Sequence, residues 1–137
     1  MKMQSILVVD DEPDVRDSVK YVLDRAGYSV RTAESAMDAF AELARNPTDL
    51  VITDIIMPQI NGVEAIESIR KTFPSVRIIA ISGGGNFGVT EYQPSAITTT
   101  AYLASAEKAG ADLVLTKPFE TFELIRSVEQ VLGVGHA

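Results

Sequence analysis

Five short apolar runs, each followed by a stretch with helical periodicity, constrain this chain more than any other feature. The runs are Ile6–Val9, Tyr28–Thr32, Leu50–Thr53, Arg77–Ile81 and Leu113–Thr116. Four of them are unbroken and rich in Val, Ile and Leu, as parallel strands covered on both faces require. The second differs: Ser29-Val30-Arg31-Thr32 alternates polar with apolar residues, which places it at a sheet edge. Val15, Val19, Val22, Leu23 and Ala26 then recur at helical spacing, with Gly27 as a left-handed cap. A second helix opens on Ser35 as N-cap, carries Ala36, Ala39, Phe40, Leu43 and Ala44 on one face, and stops at Asn46-Pro47. A third runs from about Gly62 to Thr72. A fourth resumes near Ala101 with Leu103, Ala106 and Ala109 inward, until Gly110 caps it. The last starts near Thr121 and buries Leu124, Ile125, Val128, Val131 and Leu132. Phe119 and Phe122 read as core. Strand and helix in alternation imply right-handed crossovers and an α/β, doubly wound, five-stranded parallel sheet. With the alternating strand at an edge, the flavodoxin-like order 2-1-3-4-5 fits best.

At 137 residues the chain has the size of a single domain, residues 1–137, with a core over about 5–132 and a Gly-containing tail at 133–137. No repeat or linker interrupts it. It has no cysteine, which excludes a disulfide frame and a thiolate metal site. A net charge of −7 and a pI near 4.6 argue against nucleic acid as a direct partner. The leading apolar run is too short for a signal-peptide core or a membrane span, so a cytoplasmic protein without membrane contact is expected.

In such sheets the functional crevice lies outside the carboxyl ends of the strands. Strand one ends there in Asp10-Asp11-Glu12, strand three in Asp54, strand four in Ser82 and strand five in Lys117-Pro118. Each has a bland explanation. An Asp-Asp pair after a strand is commonly a turn and helix cap, a Ser before glycines is ordinary turn chemistry, and a single Lys is usually solvated. Their convergence on one rim is what favours a site. Two carboxylates ~4 Å apart repel by roughly 4 kcal/mol at an effective dielectric near 20, so such a cluster calls for a cation or a proton. All-oxygen ligation suits Mg²⁺, with Mn²⁺ possible, rather than Zn²⁺. A metal so held can bind a phosphoryl oxygen, and Lys117 offers a compact positive charge for another. A carboxylate attacking phosphorus gives an aspartyl phosphate, to which Ser82 can donate a hydrogen bond.

These residues are where the sequence resembles the receiver domains of two-component response regulators, the CheY-like family. The matching text is Ile6-Leu7-Val8-Val9-Asp10-Asp11-Glu12, Asp54-Ile55-Ile56-Met57-Pro58 with Asn61-Gly62, Ile79-Ala80-Ile81-Ser82, Gly110-Ala111-Asp112 and Lys117-Pro118-Phe119. The resemblance implies a phosphorelay protein whose Asp54 accepts a phosphoryl group from a sensor histidine kinase or histidine phosphotransfer protein. It implies Mg²⁺ ligation by Asp11 and Asp54, with Asp10 helping through water and Ile56 through its backbone carbonyl. It further implies a cis Lys117-Pro118 bond and a third helix opened by Gly62. Output would pass by protein–protein contact through the face formed by helix four, strand five and helix five. Since only Gly-Val-Gly-His-Ala follows Leu132, a stand-alone receiver is expected, although a fragment of a longer regulator would read the same way. His136 in that tail is expected to have no role.

The chain departs from the family pattern in two places. Val114 stands where receivers usually carry the aromatic switch residue. The segment between strand four and helix four is enlarged, opening at Gly83-Gly84-Gly85 and passing through Thr98-Thr99-Thr100. Long loops in compact domains tend to be functional, and the glycines, Gly83 first, would give the backbone freedom for a switch; a tolerated surface insertion explains the segment equally well. Two other functions compete with this one. An aspartyl-nucleophile phosphohydrolase would carry an acid two residues after the nucleophile, where Ile56 stands. A phosphorylation-independent interaction module would have lost one of the acidic or lysine residues, all of which are present. Because Ile56 cannot orient a water, the aspartyl phosphate should hydrolyse slowly.

Overall fold

The structure is a computed structural model, and it describes residues 3–55, 62–82, 104 and 106–133. The strands are β1 (Ser5–Val9), β2 (Ser29–Ala33), β3 (Leu50–Asp54), β4 (Arg77–Ser82) and β5 (Leu113–Thr116). The helices are α1 (Pro13–Arg25), α2 (Ala36–Arg45), α3 (Gly62–Thr72), α4, whose continuous described part is 106–109, and α5 (Thr121–Leu132). All four strand pairings are parallel and the order is β2-β1-β3-β4-β5, as expected from the alternating second run. The enlarged segment after β4, with Gly83, Leu103 and Thr98-Thr99-Thr100, lies outside the described residues, as do Ile56 to Asn61 and His136.

The unbroken apolar runs have the cause inferred for them. Successive residues of β1 feed opposite sides: Leu7 and Val9 join Val51, Ile66, Ile69, Ile78 and Ala106, whereas Ile6 and Val8 join Leu23, Ile52, Ile79, Leu124 and Val128. Two cores, one on each face, therefore share one sheet. Each fully buried Ile or Leu contributes roughly 1.5–3 kcal/mol relative to exposure. Phe40 and Phe73 extend the first core between α2 and α3, with ring centroids 6.1 Å apart.

Local chemistry sets the helix ends. Pro13 starts α1, where its missing N–H costs nothing. The Ser35 hydroxyl accepts the Asp38 N–H at 3.1 Å to start α2. Gly27 and Gly110, both expected to cap helices, have φ of 102° and 127°, which bears out the left-handed geometry anticipated for Gly27. α5 opens on a capping box in which Glu123 accepts the Glu120 N–H at 2.7 Å, a signal the sequence reading passed over. Three expected core positions need correction. Phe122 is 57 % exposed, because it falls on the side of α5 opposite Leu124, and its ring instead lies under the Arg126 guanidinium. Ala26 and Ala44 are also exposed, at helix ends beyond the sheet. Ile125 and Leu132 are half-buried, and so is most of β5, the far edge strand.

Three arginines fasten the amino ends of the strands. Arg31 donates to Ser5 Oγ, Thr48 Oγ1, the Pro47 carbonyl and Glu42, linking β1, β2 and the approach to β3. Arg70 donates to the carbonyls of Pro74, Val76 and Gly110 at 2.8–3.0 Å and to Asp112 at 2.9 Å, linking the approaches to β4 and β5. A Cβ on Gly110 would stand 3.1 Å from the Arg70 side chain, so that close approach needs glycine as well as its φ does. Arg77 reaches the Val131 carbonyl at the end of α5, 3.1 Å away.

Candidate functional site

The opposite edge of the sheet is built from charges. Asp10 follows β1, Asp54 ends β3, Ser82 ends β4 and Lys117 follows β5, and Asp10, Asp54 and Ser82 are all buried. The strand ladder continues past the strands and sets their relative height. Asp10 N–H bonds Ala33 O at 3.2 Å, Ile55 N–H bonds Ile81 O at 2.9 Å, and Lys117 N–H bonds Ser82 O at 2.8 Å. Lys117 and Ser82 are thus held side by side by backbone, and the Lys117–Pro118 bond is cis, as expected.

The Lys117 ammonium lies 3.0 Å from Asp54 Oδ2 and 3.9 Å from Asp10 Oδ2, so one cation serves two buried carboxylates. This crowding bears on the acid–base balance of the site. Burial, the largest influence, together with the charges of Asp54 and Asp11, pushes the Asp10 acid above its ordinary range; the Glu12 N–H and Lys117 act the other way. Burial opposes the charge on Lys117, but Asp54, the hydrogen bond to it, Asp10 and Glu12 outweigh that and hold the ammonium above its ordinary value. The site carries more negative charge than its own lysine neutralises. The Ser82 hydroxyl adds a second tension: it is buried and has no hydrogen-bond partner among the described residues.

Asp10, Asp54, Lys117 and Ser82 are therefore brought together. Asp11 stands exposed at the rim, close enough for its charge to act on Asp10. Among the described residues no group of three or more acidic or histidine side chains is placed to hold a metal ion by itself. The donor set is nevertheless all oxygen with a surplus of negative charge, which fits a hard divalent cation that keeps open positions. Gly62 begins α3 as expected, Ile56 and Gly83 lie outside the described residues, and Val114 is half-buried against the core between the sheet and α2–α3.

Sequence reasoning missed Arg16. Its Nη1 donates to the Asp10 carbonyl at 2.8 Å, while Asp10 Oδ1 accepts the Glu12 N–H at 2.9 Å. The available signal was an arginine placed in the first turn of α1, one turn after the acidic triplet.

The family model for the response regulator receiver domain matches residues 6–129. The chain is 36% identical over 133 residues to the DNA-binding transcriptional regulator NtrC of Azospirillum brasilense, covering 97% of this chain and 25% of that protein. The receiver domain of NtrX from Brucella abortus superposes with a TM-score of 0.79 at 32% identity, covering 95% of this chain and 99% of that one. A CheY-like receiver domain protein from Methanospirillum hungatei JF-1 superposes with a TM-score of 0.81 at 26% identity, covering 96% of this chain and 95% of that one. The chain spans about a quarter of the length of the NtrC and NtrX regulators that it matches in sequence.

Proposed function

The chain belongs to the response regulator receiver family, and from that membership we propose that Asp54 accepts a phosphoryl group from a histidine kinase or histidine phosphotransfer protein. The fold is CheY-like, and among the described residues no helix is long and apolar enough to cross a membrane. The observation that supports the reading best is the contact between Lys117 Nζ and Asp54 Oδ2 at 3.0 Å, beside a buried Ser82 hydroxyl with no partner among the described residues. In the proposed step an Asp54 carboxylate oxygen attacks phosphorus, the donor's N–P bond breaks, and the imidazole nitrogen leaves with the electron pair. The product is an aspartyl phosphate. Lys117 then binds a phosphoryl oxygen, and the Ser82 hydroxyl donates to another. Asp10, Asp11, Asp54 and the Ile56 carbonyl are the proposed Mg²⁺ ligands, and the cation when bound supplies Lewis-acid charge neutralisation at the phosphoryl group. Mn²⁺ would satisfy the same oxygen donors.

Signalling by protein–protein contact through the α4–β5–α5 face completes the proposal, in a cytoplasmic setting. Val114 leaves that face without the usual aromatic switch. A phosphohydrolase is the weaker reading, since Ile56 supplies no second acid, and the same residue leads us to expect slow self-dephosphorylation; phosphoprotein decay within seconds would refute that part.

Acetyl phosphate or beryllofluoride with Mg²⁺ tests the main claim. The wild type should gain a phosphoryl mass increment and a conformational response, and Asp54→Asn should show neither. A wild type that shows neither sinks the reading.

A further inference from the structure

Asp11 is the least anchored of the three proposed acidic ligands: it is exposed, and its neighbours determine where it stands. The turn that carries it, Asp10-Asp11-Glu12, is closed at both ends by one residue of α1. The Arg16 backbone N–H donates to the Glu12 carbonyl at 3.0 Å. The Arg16 guanidinium donates to the Asp10 carbonyl at 2.8 Å, and the Glu12 N–H returns to Asp10 Oδ1 at 2.9 Å. Asp11 is the residue in the middle of this ring of bonds. Arg16 touches backbone at the carbonyl of Asp10, so what it fixes is the course of the chain.

We propose that Arg16 is a positioning residue: by clamping the Asp10-Asp11-Glu12 turn onto α1 it sets where Asp11 stands, and so how tightly the site takes Mg²⁺. The proposal rests on the Mg²⁺-dependent reading above. Outer partners that orient ligands are worth roughly 10- to 100-fold in metal affinity, and orienting an exposed ligand through its backbone belongs at the low end of that range. Arg16→Ala leaves the helical N–H in place and removes only the side-chain clamp. Arg16→Lys can still offer one donor to one carbonyl oxygen, whereas a purely stabilising surface charge would not discriminate between binding constants at all.

Calorimetric titration of the full chain with MgCl₂ alone tests this, together with thermal unfolding in EDTA. The expected result is a roughly 10-fold weaker Kd for Arg16→Ala and partial recovery in Arg16→Lys. Lys20→Ala, which removes an exposed α1 charge paired with Asp24 at 2.6 Å, should leave the Kd unchanged. An Arg16→Ala Kd within twofold of the wild type overturns the proposal even if its melting temperature falls, because that is the signature of a merely structural role. Should Arg16→Ala fail to fold, Arg16→Lys and Arg16→Gln carry the test, and two wild-type constants overturn it. A wild type that binds no Mg²⁺ refutes the underlying reading instead, a result distinguishable from the first.

Discussion

Replacing Asp10 with Asn should stabilise the protein when no divalent cation is present. Asp10 is almost completely buried, and its Oδ1 accepts the Glu12 N–H, a bond that an Asn oxygen can keep. What the substitution removes is charge. The Oδ2 atoms of Asp10 and Asp54 stand 3.9 and 3.0 Å from one nitrogen, so they are at most 6.9 Å apart. At an effective dielectric near 20 their repulsion is at least about 2 kcal/mol, and the attraction of Lys117 for Asp10 is about 4 kcal/mol. Burying the carboxylate costs several kcal/mol and tips the balance against the ionised form, leaving a net penalty on the order of 1 kcal/mol. The sign follows from the raised acid. The unfolded chain releases this proton at lower pH than the folded one, so ionised Asp10 opposes folding at neutral pH, and the penalty fades as pH falls through the folded value and is gone below the unfolded one. Urea unfolding in EDTA at neutral pH should therefore show Asp10→Asn more stable than wild type by about 1 kcal/mol, with the gap closing in acid. Saturating MgCl₂ should reverse the order, since the cation stabilises the wild type in proportion to its affinity and the variant has lost a ligand. A variant less stable than wild type in EDTA would refute the reasoning, because Lys117 would then more than neutralise the site.

Further outcomes follow from other parts of the structure. Arg70→Ala loses three carbonyl bonds at about 1 kcal/mol each and a half-exposed ion pair worth less than about 1 kcal/mol, so denaturant unfolding should show a loss of about 3 kcal/mol. Arg70→Lys, with a single ammonium in place of the fork, should recover under half of it. Glu42 is held below its ordinary value by hydrogen bonds from Arg45 and Arg31, so its contribution is present above the unfolded pKa and lost as pH falls through the folded one. A Glu42→Gln variant should accordingly show a flatter acid limb in a plot of melting temperature against pH. Phe122→Ser should change stability by under about 0.5 kcal/mol in thermal unfolding, since the ring is exposed.

The sheet order was legible because one strand announced itself: Arg31 and Thr32 are polar where the other runs are apolar, and that strand is the edge. Asp10, Asp54, Ser82 and Lys117 were legible because a parallel α/β sheet sends every strand's carboxyl end to one rim. Phe122 was misread because aromatic character was allowed to outweigh helical phase: Leu124 and Val128 face the sheet, and a residue two positions before Leu124 faces water. Arg16, Arg31 and Arg70 were illegible for a different reason. Arg16 and Arg70 donate mostly to backbone carbonyls, which leave no mark in residue type, and Arg31 donates mostly to side chains of Ser5, Glu42 and Thr48 that only the fold brings to it.

Arg31, Arg70 and Arg77 at the amino edge also bear on how the molecule breathes. Amide protons there, such as those of Ser29, Ile78 and Asp112, sit among bonds that must all give way together. At the carboxyl edge the amides of Asp10 and Lys117 are single bonds beside unbalanced charge. Hydrogen exchange should therefore run as a gradient along each strand, fast at the site and slow at its far end, and phosphorylation should slow the fast half alone. A domain opened by its own charge at one end and seamed at the other has a built-in direction in which to loosen.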